Sequence, residues 1–131
     1  AYCDAHSLMS VKQDVKLLNE HIVGYTGEKA LHHTRTSRPL NAAEVAWFLP
    51  HYSSGYFRDK VYTGLKNAGF ELGFEKWFTN LPEKGNTGSA SIYIMLDEFI
   101  RSGRAQKSEK ILCYIPESGR FSSCFMLLEA V

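Results

Sequence analysis

The 131-residue chain has no run of roughly eighteen apolar residues, so nothing in it reads as a membrane span. Cysteine is scarce. The three thiols (Cys3, Cys113 and Cys124) are odd in number and far apart, which excludes a disulfide framework and makes a reducing cytoplasm the expected compartment. Charge of one sign is also lacking. Fifteen Lys and Arg against fourteen Asp and Glu leave a formal +1, so there is no basic field for nucleic acid and no acidic tail. Ala1 to His6 carry neither a charged n-region nor an apolar h-region, so no secretory signal is expected. The chain opens on Ala rather than Met, the mark expected of a processed product or a fragment. What remains is an ordinary globular composition, 44% apolar and 22% charged, long enough for one domain with one core.

Apolar periodicity sets out the elements. Leu8, Val11, Val15, Leu18 and Ile22 form a helical stripe, with Ser10 and Gln13 as a capping box and Gly24 as its stop. Thr26 to Leu40 is polar and ends near Pro39, which predicts an irregular connection. Asn41 and Glu44 are spaced to cap one short helical turn. Val45 to Leu49 is a continuous apolar run, as in a strand buried on both faces. A helix follows, with Ser53 or Ser54 as its cap, Phe57, Val61, Leu65 and Ala68 as its stripe, and Gly69 at its end. Trp77 to Leu81 predicts a second strand. The turn-rich Pro82 to Gly88 then leads into a helix that buries Ile92, Met95, Leu96 and Phe99 and stops at Gly103. Ile111 to Ile115 and Phe121 to Glu129 complete the pattern as a third and a fourth strand. Strands alternating with helices, closed by a strand pair, predict an α/β fold with a mixed sheet.

In open α/β sheets ligands gather at the carboxyl ends of the strands. His51, two positions beyond the first strand, and Asn86, in the loop after the second, both fall there, 35 residues apart. An imidazole N–H and a carboxamide NH₂ aimed at one oxygen stabilise negative charge developing on it. A helix N-terminus near Gly88 adds a favourable dipole end. On spacing alone, a His after a strand is more often structural than catalytic.

Trp47-Phe48-Leu49-Pro50-His51, Gly85-Asn86-Thr87-Gly88-Ser89-Ala90-Ser91 and Leu96-Asp97-Glu98 resemble, in order, motifs in the C-terminal half of the β-ketoacyl-acyl-carrier-protein synthase III family. The resemblance implies a thiolase-like half. It also implies a decarboxylative Claisen condensation of acyl-CoA with a malonyl-carrier thioester, without a bound cofactor, in fatty-acid, polyketide or other secondary metabolism. His51 and Asn86 would grip the malonyl thioester carbonyl, and Ser54, Gly88 and Phe121 would border the substrate. Arg58 would replace a basic contact to an acidic acyl carrier protein, because the family's usual Asn and Arg positions hold Ser54 and Tyr56. The glycine-rich final turn of many members is here Glu117-Ser118-Gly119-Arg120-Phe121.

The nucleophilic Cys of this family lies in its other half. Cys113 and Cys124 sit in apolar strands and Cys3 is unframed, so all three read as inert thiols. The chain is thus expected to be a single C-terminal domain, 1–131, with its N-terminal partner half absent. Alone it should be inactive, and it should expose an apolar patch and self-associate, as a homodimer in the complete enzyme. The alternative is a silent thiolase-like domain that binds acyl chains or serves dimerisation; a papain-like hydrolase would need a cysteine that no position supplies. His32-His33, with His21 and His6, fits no zinc spacing, so no metal site is expected.

Overall fold

A computed structural model describes residues 13–131. Cys3, His6, and the Leu8, Ser10 and Val11 part of the first stripe lie outside the described residues. Helix α1 spans Val15–Val23. Its cap is Asp14, whose side chain accepts the Leu17 N–H at 2.9 Å.

The chain does not leave the helix at Gly24, which keeps right-handed helical angles. It widens into a π segment, Gly24–Lys29, and continues as α2, Ala30–Ser37. The irregular connection expected over Thr26 to Leu40 is therefore helical as far as Ser37. The reason is rotational. At 100° per residue, nine steps of regular α-helix would leave Ile22 and Leu31 roughly opposite each other. The wider π turn advances by roughly 80° per residue and brings Leu31 back toward the sheet. Ile22 and Leu31 are both buried. No single 3.6-residue period describes this helix, so its apolar stripe is lost at the junction.

A short turn at Ala42–Glu44, capped by Asn41 Oδ1 on the Ala43 N–H at 3.0 Å, leads into β1, Val45–Pro50. Helix α3 follows at Arg58–Asn67 and ends through Gly69, whose φ of +67° suits a residue without Cβ. It is entered through a 3₁₀ turn, Gly55–Phe57, and neither Ser53 nor Ser54 caps it by a side-chain bond. The strand expected at Trp77 to Leu81 shrinks to one parallel bridge, Phe48 to Trp77, with the Phe78 N–H on Phe48 O at 2.9 Å. From Leu81 the chain already turns into a short helix, α4, Leu81–Lys84, because Pro82 favours a first helical turn and has no N–H for a ladder. Helix α5 covers Ser91–Arg101 and ends through Gly103 at φ +65°. Strands β2, Lys110–Glu117, and β3, Ser122–Glu129, form the closing hairpin.

The sheet order is β1-β2-β3, with β1 and β2 parallel and β2 and β3 antiparallel. Alternation sends side chains to two faces. Phe48, Leu112 and Tyr114 pack with Leu31, Val61, Leu65 and Phe70 beneath α2 and α3. Leu49, Ile111 and Cys113 pack with Ile92, Met95 and Phe99 of α5. Both faces of β1 and β2 are covered, which is why their sequences read as unbroken apolar runs.

Candidate active-site rim

Because β1, β2 and the Trp77 bridge segment run the same way, their carboxyl ends share one rim. Three connections leave it: the loop after β1 with His51 and Ser54, the segment from Asn80 to Ser91 with Asn86 and Gly88, and the β2–β3 turn with Phe121. A small cluster joins them. Tyr52 and Phe57 of the first are buried with Ile22, and Leu81 of the second and Phe121 of the third pack against the same group.

His51 is held by its backbone, whose N–H donates to Tyr114 O at 2.8 Å, carrying the β1–β2 ladder into the loop. Its imidazole is half-buried, and burial lowers its pKa below the ordinary histidine value. At neutral pH the ring is therefore uncharged and keeps one N–H to donate.

Asn86 is exposed at the entry to α5. Its Oδ1 accepts the Gly88 N–H at 2.9 Å, and its Nδ2 has no hydrogen-bond partner among the described residues. Gly88 sits at φ +61°, a backbone that favours glycine and lets the chain double back onto the Asn86 side chain. Thr87 and Ser91 close the same turn: the Thr87 N–H donates to Ser91 Oγ at 3.1 Å, and the two hydroxyls are 2.9 Å apart.

Other expected site residues have structural neighbours. Ser54 is exposed and contributes its carbonyl to the Phe57 N–H at 3.1 Å. Phe121, at φ +50°, lies 6.0 Å from the Tyr25 ring. Arg58 stacks its guanidinium 3.8 Å over Phe74 and approaches Asp59 at 3.6 Å, while about half of its side chain stays in solvent. Two open grooves, of about 570 and 540 Å³, lie elsewhere, one between Lys16 and Lys60 and one around His32 and Glu44; neither is lined by His51 or Asn86.

One supporting contact escaped sequence reasoning. Buried Asn80 donates through Nδ2 to Glu98 Oε2 at 2.7 Å, pinning the start of the Asn86 segment to α5. The signal was present in Leu96-Asp97-Glu98, but its partner lies 18 residues away in a segment read as strand.

Cys113 is buried, and burial, with Cys124 adding to it, pushes its thiol up to about 12. It is no thiolate at neutral pH. Cys124 is exposed on β3. Among the described residues no group of three or more His, Cys, Asp or Glu is placed to hold a metal, and no helix is long and apolar enough to cross a membrane.

Residues 36–119 match the family model described as 3-oxoacyl-(acyl-carrier-protein) synthase III C terminal. The chain belongs to that family. Beta-ketoacyl-(acyl-carrier-protein) synthase III of Microcystis aeruginosa is 37% identical over 84 residues, which are 64% of this chain and 22% of that protein. The Hyphomonas neptunium enzyme of the same name is 34% identical over 77 residues, 59% of this chain and 22% of its own length. The fold agrees with solved synthase III structures. The Pseudomonas aeruginosa protein superposes with a TM-score of 0.72 at 18% identity, covering 91% of this chain and 35% of that one. The Thermus thermophilus protein gives 0.71 at 19%, covering 92% and 35%. The thiolase-like architecture expected from the motifs is thus the one observed. The chain spans about a fifth of the length of these synthase III relatives and about a third of the solved chains.

Proposed function

We propose that this chain is the part of a synthase III-type acyltransferase that supplies the decarboxylation pair, His51 and Asn86, for condensing an acyl thioester with a malonyl-carrier thioester. The observation that carries the reading is the parallel register of β1, β2 and the Trp77 bridge, which sends the His51 and Asn86 connections out over one rim from adjacent positions in the sheet. The uncharged imidazole and the free carboxamide NH₂ are two neutral donors. Directed at the thioester oxygen, they stabilise the enolate formed as CO₂ leaves, without delivering a proton to its carbon.

The nucleophile on this reading belongs to a further αβ unit, since Cys113 stays protonated in the core. The chain by itself is then inactive in condensation, and the complete enzyme is a homodimer acting in the cytoplasm. On this reading Arg58, with half of its side chain in solvent beside the His51 loop, would meet an acidic carrier protein. Ser54, Gly88 and Phe121 border the acyl and malonyl groups.

The test uses the polypeptide in which this chain is joined to the unit carrying the nucleophile. His51→Ala and Asn86→Ala should each slow malonyl decarboxylation by about 10²-fold. Unchanged rates in both variants would leave the silent acyl-binding domain as the better reading.

A further inference from the structure

We propose that Tyr114 and Thr26 form a positioning pair that fixes the backbone carrying His51. This rests on the role given to His51 above and deepens it.

Tyr114 stands in β2 opposite Pro50, the last residue of β1. Pro50 has no N–H, so the bond from the His51 N–H to Tyr114 O is where the ladder passes from strand to loop. The far end of Tyr114 is tied as well. Its hydroxyl lies 2.6 Å from Thr26 Oγ1, and Thr26 Oγ1 lies 2.6 Å from Ile22 O. A carbonyl only accepts, so Thr26 donates to Ile22 and Tyr114 donates to Thr26. Both side chains are sealed from solvent.

Between these anchors the Tyr114 ring stacks on Phe48 of β1, centroids 6.5 Å apart at 16°, and on Phe125 of β3, 5.2 Å at 24°. The ring therefore reaches across all three strands, and the hydroxyl sets how deep it sits. Packing alone would be met by Phe. A buried hydroxyl needs a partner, and here the partner is presented from a π segment, an uncommon turn that recurs at functional positions. Burial raises the Tyr114 phenol to about 12, which keeps its proton available for the Thr26 bond at any working pH. Thr26 lies outside the residues matched by the family model and Tyr114 inside them, so the pair ties the matched unit to the helical segment that precedes it. The pair acts on His51 through the Tyr114 backbone.

Amide hydrogen exchange, read by NMR on this chain, tests the idea. Tyr114→Phe should speed exchange at the His51 amide about tenfold while leaving Ile111 and Leu112 unchanged. Thr26→Ser, which keeps the hydroxyl, should hold the wild-type rate, and Thr26→Val should match Tyr114→Phe. In the joined enzyme, Tyr114→Phe should lower kcat for decarboxylation about tenfold with KM unaltered. Unaltered exchange at His51 in Tyr114→Phe, or an equal rise along the whole of β2, overturns the proposal. The two readings fail separately: an inert His51→Ala removes the catalytic role, whereas exchange at His51 judges the pair without any turnover.

Discussion

The two faces of the sheet are built differently. On one, α2 and α3 lie together over Phe48, Leu112 and Tyr114, and α3 comes so close to the end of α1 that a Cβ on Gly64 would stand 3.0 Å from Val23 Cγ1. On the other, α5 is the principal helical cover over Leu49, Ile111 and Cys113, and its outer side leaves Tyr93 and Ile100 exposed, seven residues apart and hence on one stripe. Neither α2 nor α3 leaves a large apolar side chain exposed, although Val15, Leu17 and Tyr25 of the helix leading into α2 do. The second face shows apolar surface on both sides of its helix, as a layer would if more protein were to pack on it. The difference teaches that the apolar surface left over after folding is unevenly divided between the faces.

The largest expected effects compare the two cores directly. Leu65→Ala should cost about 4 kcal/mol in urea unfolding, because two helices wall the cavity and neither can close it. Phe99→Ala removes a larger side chain, yet should cost about the same, since α5 is free to settle inward. A loss at Phe99 greater than that at Leu65 by about 2 kcal/mol, well outside the scatter of such series, would break the comparison. Next comes Gly64→Val, which should destabilise by about 1–3 kcal/mol through overpacking against Val23. A neutral result would show that the close approach of α3 is not tight in solution.

Tyr93→Lys with Ile100→Lys should change unfolding free energy by no more than about 0.5 kcal/mol each. The pair should nevertheless shift the chain toward monomer in sedimentation velocity. Unchanged self-association would remove α5 as the assembly face. The smallest effect concerns pH and belongs to the rim between the faces. His51 titrates lower in the folded chain than in the unfolded one, so the unfolded state binds more protons as pH falls. Its contribution is present above the unfolded pKa near 6.5 and is lost as pH drops through the folded value. His51→Gln should flatten stability against pH in that window, and an unaltered slope would show that the ring is solvated.

Much of this was legible in the sequence because burial on both faces leaves a plain trace. Val45 to Leu49 and Ile111 to Ile115 are strands buried on each side, and composition alone marks them. His51 could be placed on the rim because it follows β1 directly, whereas the strand read before Asn86 is a single bridge followed by a short helix. Two things were hidden. The helix from Gly24 to Ser37 buries little besides Thr26 and Leu31, too few for a periodic signal, and its π segment breaks what period there is. Trp77 to Leu81 looked like a strand because Trp77 and Phe78 are apolar, but those residues fill space between elements and make a single bridge. The Thr26–Tyr114 bond, between residues 88 apart, leaves no local trace at all.

The widened turn at Gly24–Lys29 works as a gear. Straightening it into regular helix with the same number of residues would satisfy every local preference, yet everything downstream would swing by roughly 120° and carry Leu31 away from the interior. Chain length and facing are locked together at this point: the loss of one residue there is absorbed by a return to regular helix, because eight steps of roughly 100° leave Leu31 near its present bearing.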